Sequence, residues 1–418
     1  MSTGNLDIWV YADWAELKGP KCVGVLTAQQ AKGNKAFSFE YDKNWLLRPE
    51  KLLLDPDIHW YSGRQYPSEK ENFGVIMDSM PDTWGRTLIR RKASHKAMQE
   101  GKPIPTLYEI DYLLGVYDES RMGALRFKTD PEGPFLDNNP HFPTPPWARV
   151  KELQYCAKEL EMSDDISTTN QWLDLLIAPG SSLGGARPKA NILDEKQHPW
   201  IAKFPSKNDS IDKAAWEYVA YCLAIKSGII MAPCKIEKIS GSYHTFFTKR
   251  FDRNGAERIH FASAMTMTGY IEEMLRDRFA SYLDIAEFIQ FSCSNVKENL
   301  HQLWRRIVFN IAISNTDDHL RNHGFIIHNN GWILSPAFDL NPSVDKSGLA
   351  LNIDMDNNAL DFDLARSVGE YFQLTTKEMD LVINEITSAV RDWKHLAQKI
   401  DVNKNEIDYM ERAFRVKG

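Results

Sequence analysis

One apolar stripe constrains this chain more than any other feature. Leu300, Leu303, Trp304, Ile307, Val308 and Ile311 recur at i, i+3, i+4, i+7, i+8 and i+11, the spacing of a single helix face across 299–314. A helix of that kind must be buried in a helical body. It runs directly into Asn315-Thr316-Asp317-Asp318-His319-Leu320-Arg321-Asn322. Carboxylates and amides therefore sit at the end of a rigid element, where a site can hold them in place.

The rest of the pattern sets the fold class. From about Asp284 onward the chain reads as mostly helical. Near the start, 7–11, 22–26 and 36–40 read as short strands, rich in β-branched and aromatic residues. Helical segments follow at 84–98 and 107–116. Pro131, Pro134, Pro140, Pro143, Pro145 and Pro146 punctuate 130–147, which reads as a surface connector. Beyond it come helices at 148–161 and 168–178, a Gly/Ser loop, strands at 189–193 and 200–204, a helix at 213–226 and strands at 234–239 and 245–249. A small β-rich part followed by a larger helical part is α+β, not an alternating βαβ series. We expect an N-terminal part at 1–147 that includes the connector, a middle part at 148–253 and a helical part at 254–418.

A chain of 418 residues is long enough for each part to bury a core. The net charge of -7 argues against a nucleic-acid coat protein and leaves local basic patches open. Cys22, Cys156, Cys222, Cys234 and Cys293 are scattered, with no CxxC pair, which suits free thiols in a reducing, cytoplasmic setting. No secretory signal is visible after Met1, and no run of about 18 apolar residues predicts a membrane span.

Phosphoryl transfer asks for a carboxylate that accepts the proton of the attacking hydroxyl, and for oxygen ligands that hold Mg²⁺ against the phosphates. Asp317 suits the first task and Asn322 the second. Asp339, in the loop after strands at 325–327 and 332–334, suits a second metal ligand. The bland reading is an Asx-rich turn capping a helix, and an Asp-x4-Asn pair arises by chance roughly once in a chain this long. Upstream, Pro179-Gly180-Ser181-Ser182-Leu183-Gly184-Gly185-Ala186-Arg187-Pro188-Lys189 lies between a helix and a strand. Its small residues let backbone N–H groups approach phosphate oxygens, although a Gly-rich stretch is often only a turn. It is neither a Walker A loop nor a GxGxxG loop.

Other residues carry two readings each. Lys203, alone in the apolar run Ile201-Ala202-Lys203-Phe204-Pro205, is a snorkelling edge residue or a phosphate-binding lysine. Glu217, one helix later, pairs with it or lies on a solvated face. His319 and His323 have the i, i+4 spacing of zinc ligands, with His328 and Asp317 or Asp318 nearby, but they lack the helical context that puts both on one face. Arg86, Arg90, Arg91, Lys92 and Lys96 form a solvated basic face, or a surface for DNA phosphates or a partner.

Taken in order, Ser182-Leu183-Gly184-Gly185-Ala186-Arg187-Pro188-Lys189, Ile201-Ala202-Lys203-Phe204-Pro205, Lys249-Arg250-Phe251-Asp252-Arg253, Thr316-Asp317-Asp318-His319-Leu320-Arg321-Asn322 and Pro336-Ala337-Phe338-Asp339 resemble HipA-type serine/threonine kinases, the toxins of type II toxin–antitoxin modules. Met80-Pro81-Asp82-Thr83-Trp84-Gly85-Arg86 and the early strands look like that family's N-terminal subdomain. The resemblance implies a bilobal kinase-like fold with ATP and Mg²⁺ as cofactors. By it, Asp317 is the catalytic base, and Asn322 and Asp339 are the metal ligands. Lys203 meets the phosphates, the backbone from Lys249 to Phe251 meets adenine, and Asp252 meets the ribose. Ser182, Gly184, Gly185, Ala186 and His319 complete the nucleotide contacts, and Ser182 matches the serine that family members autophosphorylate to switch themselves off. The resemblance also implies a HipB-like DNA-binding antitoxin as partner, DNA contact mainly through that antitoxin, and a translation protein such as an aminoacyl-tRNA synthetase as substrate. Arg187-Pro188 stand where a Gln-Glu pair is usual, and Asp318 where a small residue is usual. Asp318 is thus a rival base, although only Asp317 has the five-residue spacing to Asn322. A small-molecule phosphotransferase of the same fold, and a non-catalytic DNA-bound corepressor, stay open beside the kinase reading.

Overall fold

Strand alternation near the N-terminus and helical periodicity near the C-terminus are realised in separate compact units. The computed structural model of the chain describes residues 5–31, 34–137, 144–162, 175–176, 185–277 and 279–416. The first unit comprises Met1–Asn208 and Lys249–Ala262, and the second Asp209–Thr248 and Ser263–Gly418. The helix expected at 168–178 lies outside the described residues apart from 175–176.

In the first unit, β1 (Leu6–Ala12), β2 (Lys21–Ala31), β3 (Asn34–Tyr41) and β4 (Leu125–Lys128) form an antiparallel sheet in the order β3-β2-β1-β4. Ile8 pairs with Leu26, Leu26 with Phe39, and Val10 with Phe127. Alternation sends Ile8, Val10 and Ala12 into the core with Phe37, Phe39 and Phe127. Gly24 is required by close approach, since a Cβ there would lie 2.2 Å from the carbonyl oxygen of Glu40 on β3.

Helix α1 (Thr83–Gln99) starts at Asp82, whose Oδ1 accepts the N–H groups of Trp84 and Gly85. It is followed by α2 (Glu109–Leu114) and α3 (Val150–Met162). The hairpin of β5 (Lys189–Leu193) and β6 (Pro199–Lys203) sets Lys189 opposite Lys203. Trp84 reaches it through a 3.0 Å bond from Nε1 to the Lys189 carbonyl.

The second unit begins with α4 (Lys213–Lys226) and the hairpin of β7 (Cys234–Glu237) and β8 (Thr245–Lys249), the last residue of which is counted with the first unit. Helix α5 (Tyr282–Ser292) opens on a Ser281/Asp284 capping box. Helix α6 (Val296–Ala312) is the buried helix expected at 299–314. Its six stripe residues are fully buried, each worth about 1.5–3 kcal/mol on the usual scale of apolar burial.

A tight hairpin of β9 (Gly324–His328) and β10 (Gly331–Leu334) follows, turned by Asn329 and Asn330 with φ of 49° and 59°. Two left-handed residues in a two-residue loop match the right-handed twist of the strands. Residues 335–361 then hold only isolated bridges, an interruption of the mostly helical pattern expected there. Helices α7 (Thr376–Val390), α8 (Trp393–Lys399) and α9 (Lys404–Met410) complete the unit. Phe414 stacks on Trp393 with centroids 4.2 Å apart, and the Arg415 N–H donates to Ala312 at the end of α6.

Candidate functional site

Helix α6 ends abruptly and the chain reverses through Ser314, which takes a left-handed φ of 50°. The Asn315 N–H returns to the Asn310 carbonyl at 2.8 Å. Asn315 and Thr316 are buried. The next two residues then part company. The Asp317 side chain is 78% exposed and that of Asp318 only 1%.

Asp318 Oδ2 accepts from Tyr282 Oη at 2.5 Å and Asn310 Nδ2 at 2.8 Å, and faces His323 Nε2 at 2.7 Å. Asn315 Nδ2 donates to Asn310 Oδ1, which turns the Asn310 amide nitrogen toward Asp318. Burial first, and the Asp318 charge second, push the Tyr282 phenol well above its ordinary range, so it stays a donor. Arg306 is buried close by. Desolvation lowers its guanidinium to about 10 while Asp318 opposes that shift, and its Nη2 donates to the Ser335 carbonyl.

Asn322 and the loop around Asp339 are each bonded to the segment that carries Asp317. Asn322 Nδ2 donates to the Asp317 carbonyl at 3.1 Å, which leaves its Oδ1 as the acceptor end. The Asn341 N–H donates to Asn315 Oδ1, and the Ser343 N–H to the Ser314 carbonyl at 3.1 Å. Asn341 Nδ2 grips both the carbonyl and Oδ1 of Asp339, which sits at a left-handed φ of 59°. Lys346 Nζ lies 3.8 Å from Asp317 Oδ1.

An exposed carboxylate, an amide oxygen and a second carboxylate are thus presented by two loops bonded to each other. Of these, Asn322 Oδ1 and the Asp339 carboxylate are oxygen donors of the kind a hard cation such as Mg²⁺ takes. The zinc alternative is not assembled. His323 is turned onto Asp318 and His328 is exposed at the end of β9, and no metal-holding cluster of three or more His, Cys, Asp or Glu occurs among the described residues.

In the first unit, Ser182 and Gly184 lie outside the described residues, whereas Gly185 and Ala186 are exposed. Gly185 has φ of 86°, and a Cβ there would lie 2.8 Å from Lys189 Nζ. That lysine is buried and 3.9 Å from Asp82 Oδ2. Burial raises the Asp82 carboxyl to about 6, against the opposing pull of Lys189.

Lys203 is the last residue of β6, half-buried like Lys249 and Phe251. Asp252 is different. Arg250 grips both its oxygens, at 2.8 and 2.6 Å, and Arg253 Nη1 and the Gly123 N–H add bonds of 2.7 and 2.8 Å. Burial alone would raise this carboxyl, but the two arginines outweigh it and hold it well below the usual range. A ribose contact would require these partners to release it. His319 is half-buried in the second unit, and Glu217 is buried in α4 rather than on a solvated face.

The basic helix is partly consumed by the fold. Arg86 pairs with Glu109 at 2.6 Å and lies over Tyr112, and Arg91 donates to the Leu160 carbonyl. Arg90, Lys92 and Lys96 are exposed. Sequence reasoning missed Tyr282 and Asn310 as supports of the Asp317 loop. The one available signal was a polar Asn310 set within the last apolar turns of α6.

Residues 181–393 match the family described as HipA-like C-terminal domain. A comparison with curated protein sequences gave no match. Among solved structures, the chain is similar to one described as the Shewanella oneidensis MR-1 toxin–antitoxin system HipA, HipB and operator DNA complex. The TM-score is 0.66 at 18% identity, covering 97% of this chain and 94% of that one, which establishes a common HipA-like α+β fold. The Helicobacter pylori proinflammatory kinase CtkA gives a TM-score of 0.40 at 12% identity over 54% of this chain and 88% of that one, too slight to bear on the fold. No helix among the described residues is long and apolar enough to cross a membrane. With the family match spanning half of its length, the chain belongs to the HipA family.

Proposed function

We propose that this protein is an ATP- and Mg²⁺-dependent serine/threonine protein kinase, acting as the toxin of a HipB-paired toxin–antitoxin module. The observation that supports it most is the pairing of an exposed Asp317 with a buried Asp318 whose Oδ2 meets three groups, in one loop bonded to Asn322 and to the loop after Asp339. When bound, Mg-ATP supplies the electrophilic phosphoryl group and neutralises its charge. The chain's own residues do the rest. Asp317 orients the acceptor hydroxyl and takes its proton. Asn322 and Asp339 offer the oxygens that would hold Mg²⁺. Lys203 would meet the phosphates, and the backbone from Lys249 to Phe251 the adenine, with Gly185, Ala186 and His319 as further contacts. Ser182 is the proposed autophosphorylation site, where a phosphate adds nearly two negative charges.

The proposed partner is a small DNA-binding antitoxin, in line with the HipA–HipB–operator assembly named for the Shewanella neighbour. The proposed substrate is a translation protein such as an aminoacyl-tRNA synthetase, in the cytoplasm. Asp317→Asn should slow phosphoryl transfer by about 10²–10⁴-fold while ATP still binds. Undiminished transfer in that variant overturns the base assignment. Label appearing on a metabolite rather than a protein would point to a small-molecule phosphotransferase. No label at all, with normal operator binding, would point to a corepressor.

A further inference from the structure

The Asp318 carboxylate is the most heavily committed group near Asp317, and it does no chemistry in the reading above. Three elements converge on its one oxygen: Tyr282 from the first turn of α5, Asn310 from the last turns of α6, and His323 from the residue before β9. Each supporting side chain is itself buried. His323 Nδ1 is buried without a partner among the described residues, so the contact of Nε2 with Asp318 is the one that anchors its ring, and leaving a buried donor or acceptor of this cluster unpaired costs about 1–3 kcal/mol. Its far end is tied as well, because the Ala264 N–H donates to the His323 carbonyl at 2.9 Å. On the other side, Asn315 is fixed through Asn310.

We propose that Asp318 is a positioning residue: through Tyr282, Asn310 and His323 it fixes the backbone that carries Asp317 and leaves Asp317 as the only carboxylate of this pair presented to an acceptor hydroxyl. The proposal rests on the kinase reading and deepens it. Asp318 cannot serve as the base itself, since its side chain is 1% exposed and Oδ2 already meets three groups. Its effect is geometric. Misplacing a reacting group by about 1 Å costs on the order of 10²-fold in rate, and the bond from Asn322 to the Asp317 carbonyl spreads any slack to the metal-binding side of the loop.

The test uses the full-length protein, radiolabelled Mg-ATP, direct nucleotide binding, and hydrogen exchange of the peptide covering 314–323. Asp318→Asn should slow phosphoryl transfer by about 10–100-fold, leave ATP affinity within about twofold, and speed exchange across 314–323 by at least about tenfold while the body of α6 stays protected. Tyr282→Phe, which keeps the ring and removes one bond to Asp318, should move every readout the same way by less, and it decides the matter if Asp318→Asn does not fold. In an Asp317→Asn background, Asp318→Asn should add no further loss, because it acts through Asp317. A full rate in Asp318→Asn and Tyr282→Phe, unchanged exchange, or a further multiplicative loss on top of Asp317→Asn overturns the positioning role. A wild-type protein that transfers no phosphoryl group overturns instead the kinase reading on which it stands, and an Asp317→Asn variant with full activity overturns the assignment of Asp317 as base.

Discussion

Asp252 in the first unit and Asp317 in the second each lie within a short polar motif, yet the protein uses the two carboxylates in opposite ways. Around Asp252 the neighbours Arg250, Arg253 and Gly123 spend their donors on it directly, and it is completely buried. Around Asp317 the donors go to Asp318 next door, so Asp317 stays in solvent. A carboxylate is available for chemistry when the groups around it are satisfied by something else. The sequence Asp317-Asp318 assigns those two duties to adjacent residues.

The largest effect that sharpens this contrast is on stability. Asp252→Asn should destabilise the protein by about 3–5 kcal/mol, because it strips the countercharge from two buried arginines. Asp317→Asn should leave the unfolding free energy within about 0.5 kcal/mol of wild type, as expected of an exposed side chain. Urea melts of both variants check the pair. Equal midpoints would mean that the bonds of Arg250 to the Ser120 carbonyl and Asn191 Oδ1 suffice to hold it without Asp252, and the contrast would collapse.

How far these roles could be read in advance follows from the range of the interactions. Local signals were legible. The apolar stripe from Leu300 to Ile311 became α6, and the runs at 189–193 and 213–226 coincide with β5 and α4, because period and capping act within a few residues. Asp317 could be proposed from its spacing to Asn322, whose side-chain amide donates back to the Asp317 carbonyl. The environment of Asp252 was not legible. Its Gly123 partner is 129 positions away, and the pairing of β4 with β1 that brings that region into the first unit joins segments more than a hundred residues apart. The role of Asp318 was hidden for the same reason, with Tyr282 36 positions upstream. Two adjacent aspartates are indistinguishable by type; spacing to Asn322 favours Asp317, and burial shows what Asp318 is committed to.

A smaller effect tests whether buried charge in the first unit governs its acid response. His260 is buried against Trp14, and desolvation lowers its imidazole to about 3 from the usual 6.5. Below about pH 6.5 the unfolded chain takes a proton there and the folded chain does not, so stability present above that pH falls as pH drops toward about 3. Asp82 acts with the opposite sign. Its carboxyl is raised to about 6, so the folded state holds the extra proton at lower pH, and that contribution is lost as pH rises from about 4 through 6. The two oppose each other between about pH 4 and 6. His260→Phe should flatten or reverse the acid slope of stability in that window. Asp82→Asn, which keeps an N-cap side chain, should steepen it. Denaturant midpoints at three pH values check both, and unchanged slopes would show that neither group differs between folded and unfolded chains.

The smallest effect concerns the approach to the expected phosphate loop, where the first unit gives a backbone reason for its glycine. Gly185→Ala introduces two separable costs. A left-handed φ of 86° penalises any Cβ, by about 1 kcal/mol. The Cβ would also lie 2.8 Å from Lys189 Nζ, the far end of a flexible side chain, which can yield only by shifting within the buried surroundings of Asp82. A double-mutant cycle with Lys189→Met separates them, since the methionine lacks the crowding ammonium but leaves the φ cost untouched. The single Gly185→Ala variant should lose about 1–2 kcal/mol and recover the steric part, but not the backbone part, in the Lys189→Met background. Full additivity would mean that Lys189 moves aside freely. In that case glycine is required at 185 by backbone conformation alone, and Lys189 has no fixed place beneath it, unlike Asp318, which three partners pin beside Asp317.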